Sequence, residues 1–80
     1  MSELTRLRWQ CRRGMKELDV LLEAYLKDKF SEAAPAEQQA FAVLLELPDP
    51  ILMAYIVGRI SPETEEQCRV IDTLRRTSGV

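Results

Sequence analysis

Three features of the sequence predict a compact all-α bundle of five short helices. Apolar residues recur at three- and four-residue spacing in several separate stretches. No alternating apolar/polar run bounded by hairpin turns reads as a strand. Proline and glycine fall at the edges of the periodic stretches, where helices start and stop. The 80 residues suffice for one domain, 1–80, near the size at which a single core becomes marginal. A composition of 46% hydrophobic and 30% charged residues is that of a globular chain, since disordered chains carry too little apolar surface to offset their ordering entropy.

Ser2 is placed to cap a first helix over about 2–12, in which Leu4, Leu7 and Cys11 share one face. Trp9, the only tryptophan, is expected to anchor the core with an edge left to a partner. The second helix, over about 14–30, has the strongest periodicity: Met15, Leu18, Leu21, Leu22, Tyr25 and Leu26 form one broad stripe. It is expected to be the central element of the core. A connection over 31–35 leads to a third helix over 36–47 that buries Phe41, Leu44 and Leu45, with Pro35 suited to its beginning. Asp49 then sits where an N-cap belongs and Pro50 at the first helical position. The short helix that follows carries Ile51, Leu52, Tyr55 and Ile56, and Gly58 ends it. Ser61-Pro62-Glu63 repeats the start signal for a fifth helix over 62–76, burying Cys68, Ile71 and Leu74. Acids crowd its first turn, and Arg75 and Arg76 close its last, as its dipole favours. The tail over 77–80 is expected to be mobile.

Composition excludes several chemistries. With no histidine, imidazole acid/base catalysis, Ser-His or Cys-His nucleophile pairs and imidazole metal sites all fall away. Cys11 and Cys68 form no C-x-x-C pair and read as small apolar groups, a disulfide between them being the alternative, so no metal site is expected. No apolar run approaches the roughly 20 residues that span a bilayer. The N-terminus lacks a secretory pattern, because Arg6, Arg8, Arg12 and Arg13 interrupt it, so a cytoplasmic, bacterial protein is expected with no membrane insertion. The net charge of −2 hides an asymmetry: residues 1–16 carry five basic side chains against Glu3, whereas 17–49 carry eight acids against Lys27 and Lys29. Overall acidity argues against nucleic acid. The basic end suits docking on an acidic protein surface.

That basic end meets the second helix in Arg12-Arg13-Gly14-Met15-Lys16-Glu17-Leu18-Asp19. A helix reaching back to Arg13 would make Arg13 and Glu17 neighbours on its surface. Gly14 costs a helix about 1 kcal/mol relative to alanine, which points to an unusual backbone angle or a partner's close approach. Glu17 and Asp19 do not form a catalytic carboxylate pair, because residues two apart on a helix point about 200° apart. The sequence also holds neither G-x-G-x-x-G nor G-x-x-x-x-G-K, so no catalytic residue and no stably bound cofactor is expected. On these grounds the chain is a small helical module that binds a protein through its basic, glycine-containing helix junction. A helix-turn-helix DNA binder is the alternative; it would want a basic recognition helix, which the second and third helices do not supply.

The run Leu7-Arg8-Trp9-Gln10-Cys11-Arg12-Arg13-Gly14-Met15-Lys16-Glu17-Leu18-Asp19 resembles the signature of the SdhE family, the bacterial succinate dehydrogenase flavinylation factors. Their mitochondrial relative is succinate dehydrogenase assembly factor 2. The family's R-G-x-x-E motif maps onto Arg13, Gly14 and Glu17. The likeness continues through Leu21-Leu22, Phe41 with Leu44-Leu45, Pro48-Asp49-Pro50-Ile51-Leu52 and Gly58; Tyr55 stands where many members have Trp. The resemblance implies an assembly factor, not an enzyme, that docks on the flavoprotein subunit of succinate dehydrogenase and on that of the related fumarate reductase; a monomer is expected. There it promotes covalent attachment of FAD, which belongs to the client, to a histidine of that subunit. It further implies that Arg13, Gly14 and Glu17 contact the client, with Arg8, Trp9, Arg12 and Lys16 flanking them.

Overall fold

The computed structural model describes residues 3–77, and the expected cap at Ser2 and the tail at 78–80 lie outside them. Five helices follow in order: α1 (Glu3–Gln10), α2 (Lys16–Asp28), α3 (Pro35–Leu44), α4 (Asp49–Val57) and α5 (Glu65–Thr77), with a 3₁₀ turn at Phe30–Glu32. No strand occurs among the described residues.

The α2 stripe is as the spacing predicts at its centre. Leu18, Leu22 and Tyr25 are buried, Leu21 and Leu26 half-buried, and only Met15 at the mouth of the helix is exposed. Tyr25 stacks on Phe41 of α3 with ring centroids 4.5 Å apart, and Phe30 tilts against the same ring at 5.8 Å. Phe30 belongs to the 3₁₀ turn rather than to α2. Its carbonyl accepts from Gln38 Nε2 at 2.7 Å, which ties the turn to α3.

The hub of the bundle is α5, not α2 as the periodicity suggests: α5 packs against α2, α3 and α4. Its inward face is Gln67, Val70, Ile71 and Leu74, a three-and-four spacing that leaves Cys68 half-buried at the edge. The helix starts three residues later than Ser61-Pro62 implies. Thr64 Oγ1 accepts the Gln67 N–H at 3.1 Å, and Gln67 Oε1 reaches back to the Glu63 N–H at 3.2 Å, a variant of the capping box.

Two corners set the position of the α1–α2 junction. After Leu44 the chain tightens into i→i+3 bonds, Glu46 N–H to the Val43 carbonyl at 3.0 Å and Leu47 N–H to that of Leu44 at 3.1 Å. This ends α3 earlier than predicted and leaves the Leu45 and Leu47 carbonyls without helical partners. At α4 the cap position is held by Pro48 and Asp49 is the first helical residue, so Asp49 is not the N-cap its sequence context suggests. Gly58 ends α4 as expected, in the left-handed conformation at φ 84°.

Candidate functional site

The chain leaves α1 at Gln10 and enters α2 at Lys16 through a turn whose conformation is fixed from both sides. Gly14 has φ 83°, in the left-handed region where a side chain is strained, and a Cβ there would meet nothing within 4 Å. The glycine therefore answers to the backbone angle, not to crowding from the rest of this chain. Asp19, one turn into α2, turns its carboxylate back over the turn. Oδ1 accepts the Arg13 N–H at 2.6 Å and Oδ2 the Gly14 N–H at 3.3 Å. These charge-assisted bonds occupy two amides that lie outside the helix ladder, close to the positive end of its dipole.

Arg13 is turned inward. Its guanidinium donates to the Leu45 carbonyl, to the Leu47 carbonyl at 2.6 Å and to Asp49 Oδ1 at 3.2 Å. Its Nε donates to the Gln10 carbonyl at 3.2 Å. The side chain is only 13% exposed. The planar fork of arginine suits this corner because it can meet several fixed oxygens at once, which a lysine ammonium cannot do in one plane. The Arg13–Glu17 pair expected from spacing does not form, since α2 begins after Arg13 and Asp49 takes its charge instead.

Around this part-buried strut the remaining predicted site residues are displayed outward: Gly14, Lys16 and Glu17 on the turn and first turn of α2, Arg8 on α1 and Arg12 just past its end. Trp9 is 64% exposed and so is not the core anchor its residue type suggests. It lies two positions from Leu7, about 200° around α1 from the buried face. The Arg12 guanidinium sits 5.8 Å from the Trp9 ring centroid, within cation–π range, and Arg12 Nε stands 3.8 Å from Glu23 Oε1. Arg8 and Arg12 also border a half-open groove of about 570 Å³ between α1 and the end of α2, floored by Leu4, Leu26 and Phe30.

Beneath the junction Cys11 is fully buried, and burial, reinforced by Glu23, pushes its thiol up to about 11. Both cysteines are free, and Cys11 is an inert core group at neutral pH. No cluster of His, Cys, Asp and Glu suited to a metal ion exists among the described residues. Sequence reasoning missed Asp19 and Asp49 as partners of the motif. Asp19 was visible as an acid in a first turn; Asp49 pairs with Arg13 across 36 positions, a contact no local pattern announces.

The fold and junction define a small all-α protein that presents an arginine-braced glycine turn bordered by exposed charge and an exposed tryptophan. Residues 5–78 match the family model described as flavinator of succinate dehydrogenase, and the chain belongs to that family. It is 40% identical over 74 residues to the FAD assembly factor SdhE of Coxiella burnetii, covering 92% of this chain and 90% of that one. The SdhE of Methylococcus capsulatus is 40% identical over 79 residues, 99% and 95% of the two chains. That of Aliivibrio fischeri is 39% identical over 73 residues, 91% and 85%.

Proposed function

We propose that this protein is an assembly factor that docks on the flavoprotein subunit of succinate dehydrogenase and promotes covalent attachment of FAD to it. The observation that carries the reading is the motif's geometry in a chain of this family: Gly14 and Glu17 stand exposed on a turn that Arg13 and Asp19 hold still. A surface fixed before it meets its partner loses less freedom on binding, so its charged groups contribute more of their gross interaction. Glu17 and Lys16 supply charge-assisted contacts to the client. Trp9 supplies apolar area backed by Arg12, the residue types that dominate interface energetics.

In this reading FAD is the client's, and bond formation takes place there, between a client histidine and the flavin. The helper holds the client in a conformation that brings the two together, where orientation alone lowers barriers by several kcal/mol. The related subunit of fumarate reductase is a second client on the same surface, the protein acts as a monomer in a one-to-one complex, and it works in the cytoplasm. No helix among the described residues is long and apolar enough to cross a membrane.

The test is size-exclusion chromatography of this protein mixed with the apo-flavoprotein subunit at low micromolar concentration. Co-elution at one-to-one stoichiometry, with covalent flavin fluorescence appearing on the subunit in a denaturing gel, is expected. Separate elution, or retention on duplex DNA instead, defeats the assignment.

A further inference from the structure

We infer that Asp19 and Asp49 are positioning residues for client docking: together with Arg13 they lock the Gly14 turn against the α3–α4 corner and so fix where Glu17, Lys16 and Trp9 stand. The inference deepens the proposed function and rests on it.

Beyond the buried Cys11, the turn is held by two groups of hydrogen bonds. Gly14, Met15, Lys16 and Glu17 are all exposed, so burial does not hold this segment in place. What holds it is polar. From the α2 side, the Asp19 carboxylate grips the amides of Arg13 and Gly14, one oxygen each. From the α3–α4 side, the Arg13 guanidinium is received by the carbonyls of Leu45 and Leu47 and by the Asp49 carboxylate. The two grips meet at Arg13, whose backbone N–H is in one and whose side chain is in the other.

Charge sets the division of labour. The carbonyls of Leu45 and Leu47 orient the guanidinium but leave its positive charge unpaired; Asp49, at 3.2 Å and 28% side-chain exposure, is the group that neutralises it. Asp19 answers a different need, two amides that precede the helix and that a neutral side chain would satisfy more weakly. With these amides occupied, the Arg13 and Gly14 N–H groups are not offered to a client carboxylate. Recognition then falls to the side chains displayed around the turn, and Arg13 acts through them. A glycine turn released from either grip would keep the core of Leu18, Leu22 and Phe41, which lies elsewhere, yet would sample other backbone angles. Docking would then have to select the competent one, reducing apparent affinity by the fraction of chains that hold it.

The experiment uses the full chain with Asp19→Ala, Asp19→Asn, Asp49→Asn and, as a surface control away from the junction, Gln39→Ala on the exposed side of α3. Circular dichroism first establishes that each is folded at 20 °C. Affinity for the apo-flavoprotein subunit is then measured by calorimetry, and the Gly14 amide resonance is followed by ¹H–¹⁵N NMR. For the folded variants affinity should fall about tenfold for Asp49→Asn and by more for Asp19→Ala. Asp19→Asn, which keeps one acceptor oxygen, should recover part of the loss, and the Gly14 resonance should move in step. A purely structural role would lower the melting temperature and leave the affinity of folded protein unchanged; that result overturns the inference. Asp49→Asn keeps both carbonyl contacts of Arg13, so it remains a folded test where Asp19→Ala does not fold. If the unaltered protein does not bind the subunit, the functional reading falls and this inference with it. Tight binding of the unaltered protein and of Asp19→Asn and Asp49→Asn alike overturns the inference alone.

Discussion

Arg75 on α5 holds the end of α4 through Ile56: its Nε donates to the Ile56 carbonyl at 2.8 Å, and its Nη2 to the neighbouring Tyr55 carbonyl at 2.8 Å. These carbonyls belong to the last turn of α4, where the helix ladder runs out and only that of Tyr55 also accepts the Gly58 N–H, at 3.2 Å. The arginine closes a helix other than its own, beside Gly58, whose imagined Cβ would come 3.3 Å from the same Nη2. Arg75→Met keeps most of the aliphatic stem and removes every donor. The expected loss is about 1–3 kcal/mol, the cost of taking the charged donor from the part-buried Ile56 carbonyl while that of Tyr55 keeps the Gly58 N–H. Urea unfolding of the pair checks it, and a variant as stable as the parent would mean that water replaces the guanidinium at no cost.

The same residue shows how far the sequence could be read. Its place in the last turn of α5 was legible and suggested service to its own helix dipole; its service to α4 depends on how two helices pack, which spacing does not encode. The α2 stripe, the five-helix architecture and the Gly58 stop were legible because each rests on local periodicity or a single backbone angle. The exposure of Trp9 follows from its register with buried Leu7, against the preference of its residue type for the core. Thr64-Glu65-Glu66-Gln67 carries a capping signature, and it, not Ser61-Pro62, marks where α5 begins. Of the site, the gathering of the motif residues at the start of α2 was legible from the chain order. The inward turn of Arg13 does not, since its acceptors lie more than thirty positions away.

Gly14 separates backbone demand from partner demand. With φ at 83° and open space around the Cβ position, Gly14→Ala should cost about 1–2 kcal/mol through the left-handed conformation alone. Asparagine tolerates that region better, so Gly14→Asn should be the more stable of the two despite its larger side chain. Urea unfolding ranks them, and equal stabilities would show that the angle is not the constraint. If the client also approaches Gly14 closely, both variants should lose flavin attachment regardless of that ranking.

Alkaline titration reports on the core, at Cys11 beneath the junction and at Tyr25 further along α2. Burial raises the Cys11 thiol from 9.0 to about 11, and burial followed by Glu37 raises the Tyr25 hydroxyl from 10.0 to about 12. In each case the folded state keeps its proton to higher pH than the unfolded chain does. Stability should therefore be independent of these groups below pH 9 and fall as pH climbs from 9 to 11 for Cys11, then from 10 to 12 for Tyr25. A two-unit shift amounts to about 2–3 kcal/mol at full effect. Urea midpoints at pH 8, 9, 10 and 11 trace the loss. Cys11→Ala, already less stable at pH 8, should lose less over this range than the parent. Parallel curves for parent and variant would rule out Cys11 as a source.

Glu17→Ala separates docking from folding. Glu17 is exposed on the first turn of α2, and it has no ion pair with Arg13 to give it a structural role, because Arg13 is committed to Asp49. Removing it deletes no core contact and installs the best helix former, so stability should shift by no more than about 0.5 kcal/mol. At the client surface the same change leaves a charged or polar partner group unmatched, a loss of roughly 2–5 kcal/mol for a buried pair. Leu22→Ala is the opposite case. Leu22 is fully buried in the core, and truncating it should cost about 2–5 kcal/mol of fold stability. At a temperature where enough of this variant is folded, its exposed turn remains unaltered, so flavin attachment should track the folded fraction. Thermal unfolding and covalent flavin fluorescence of the client subunit, measured on both variants, give the four values needed. Glu17→Ala should unfold like the parent and fail to support attachment. Normal attachment with Glu17→Ala would return that carboxylate to the role of a solvated charge on the helix surface.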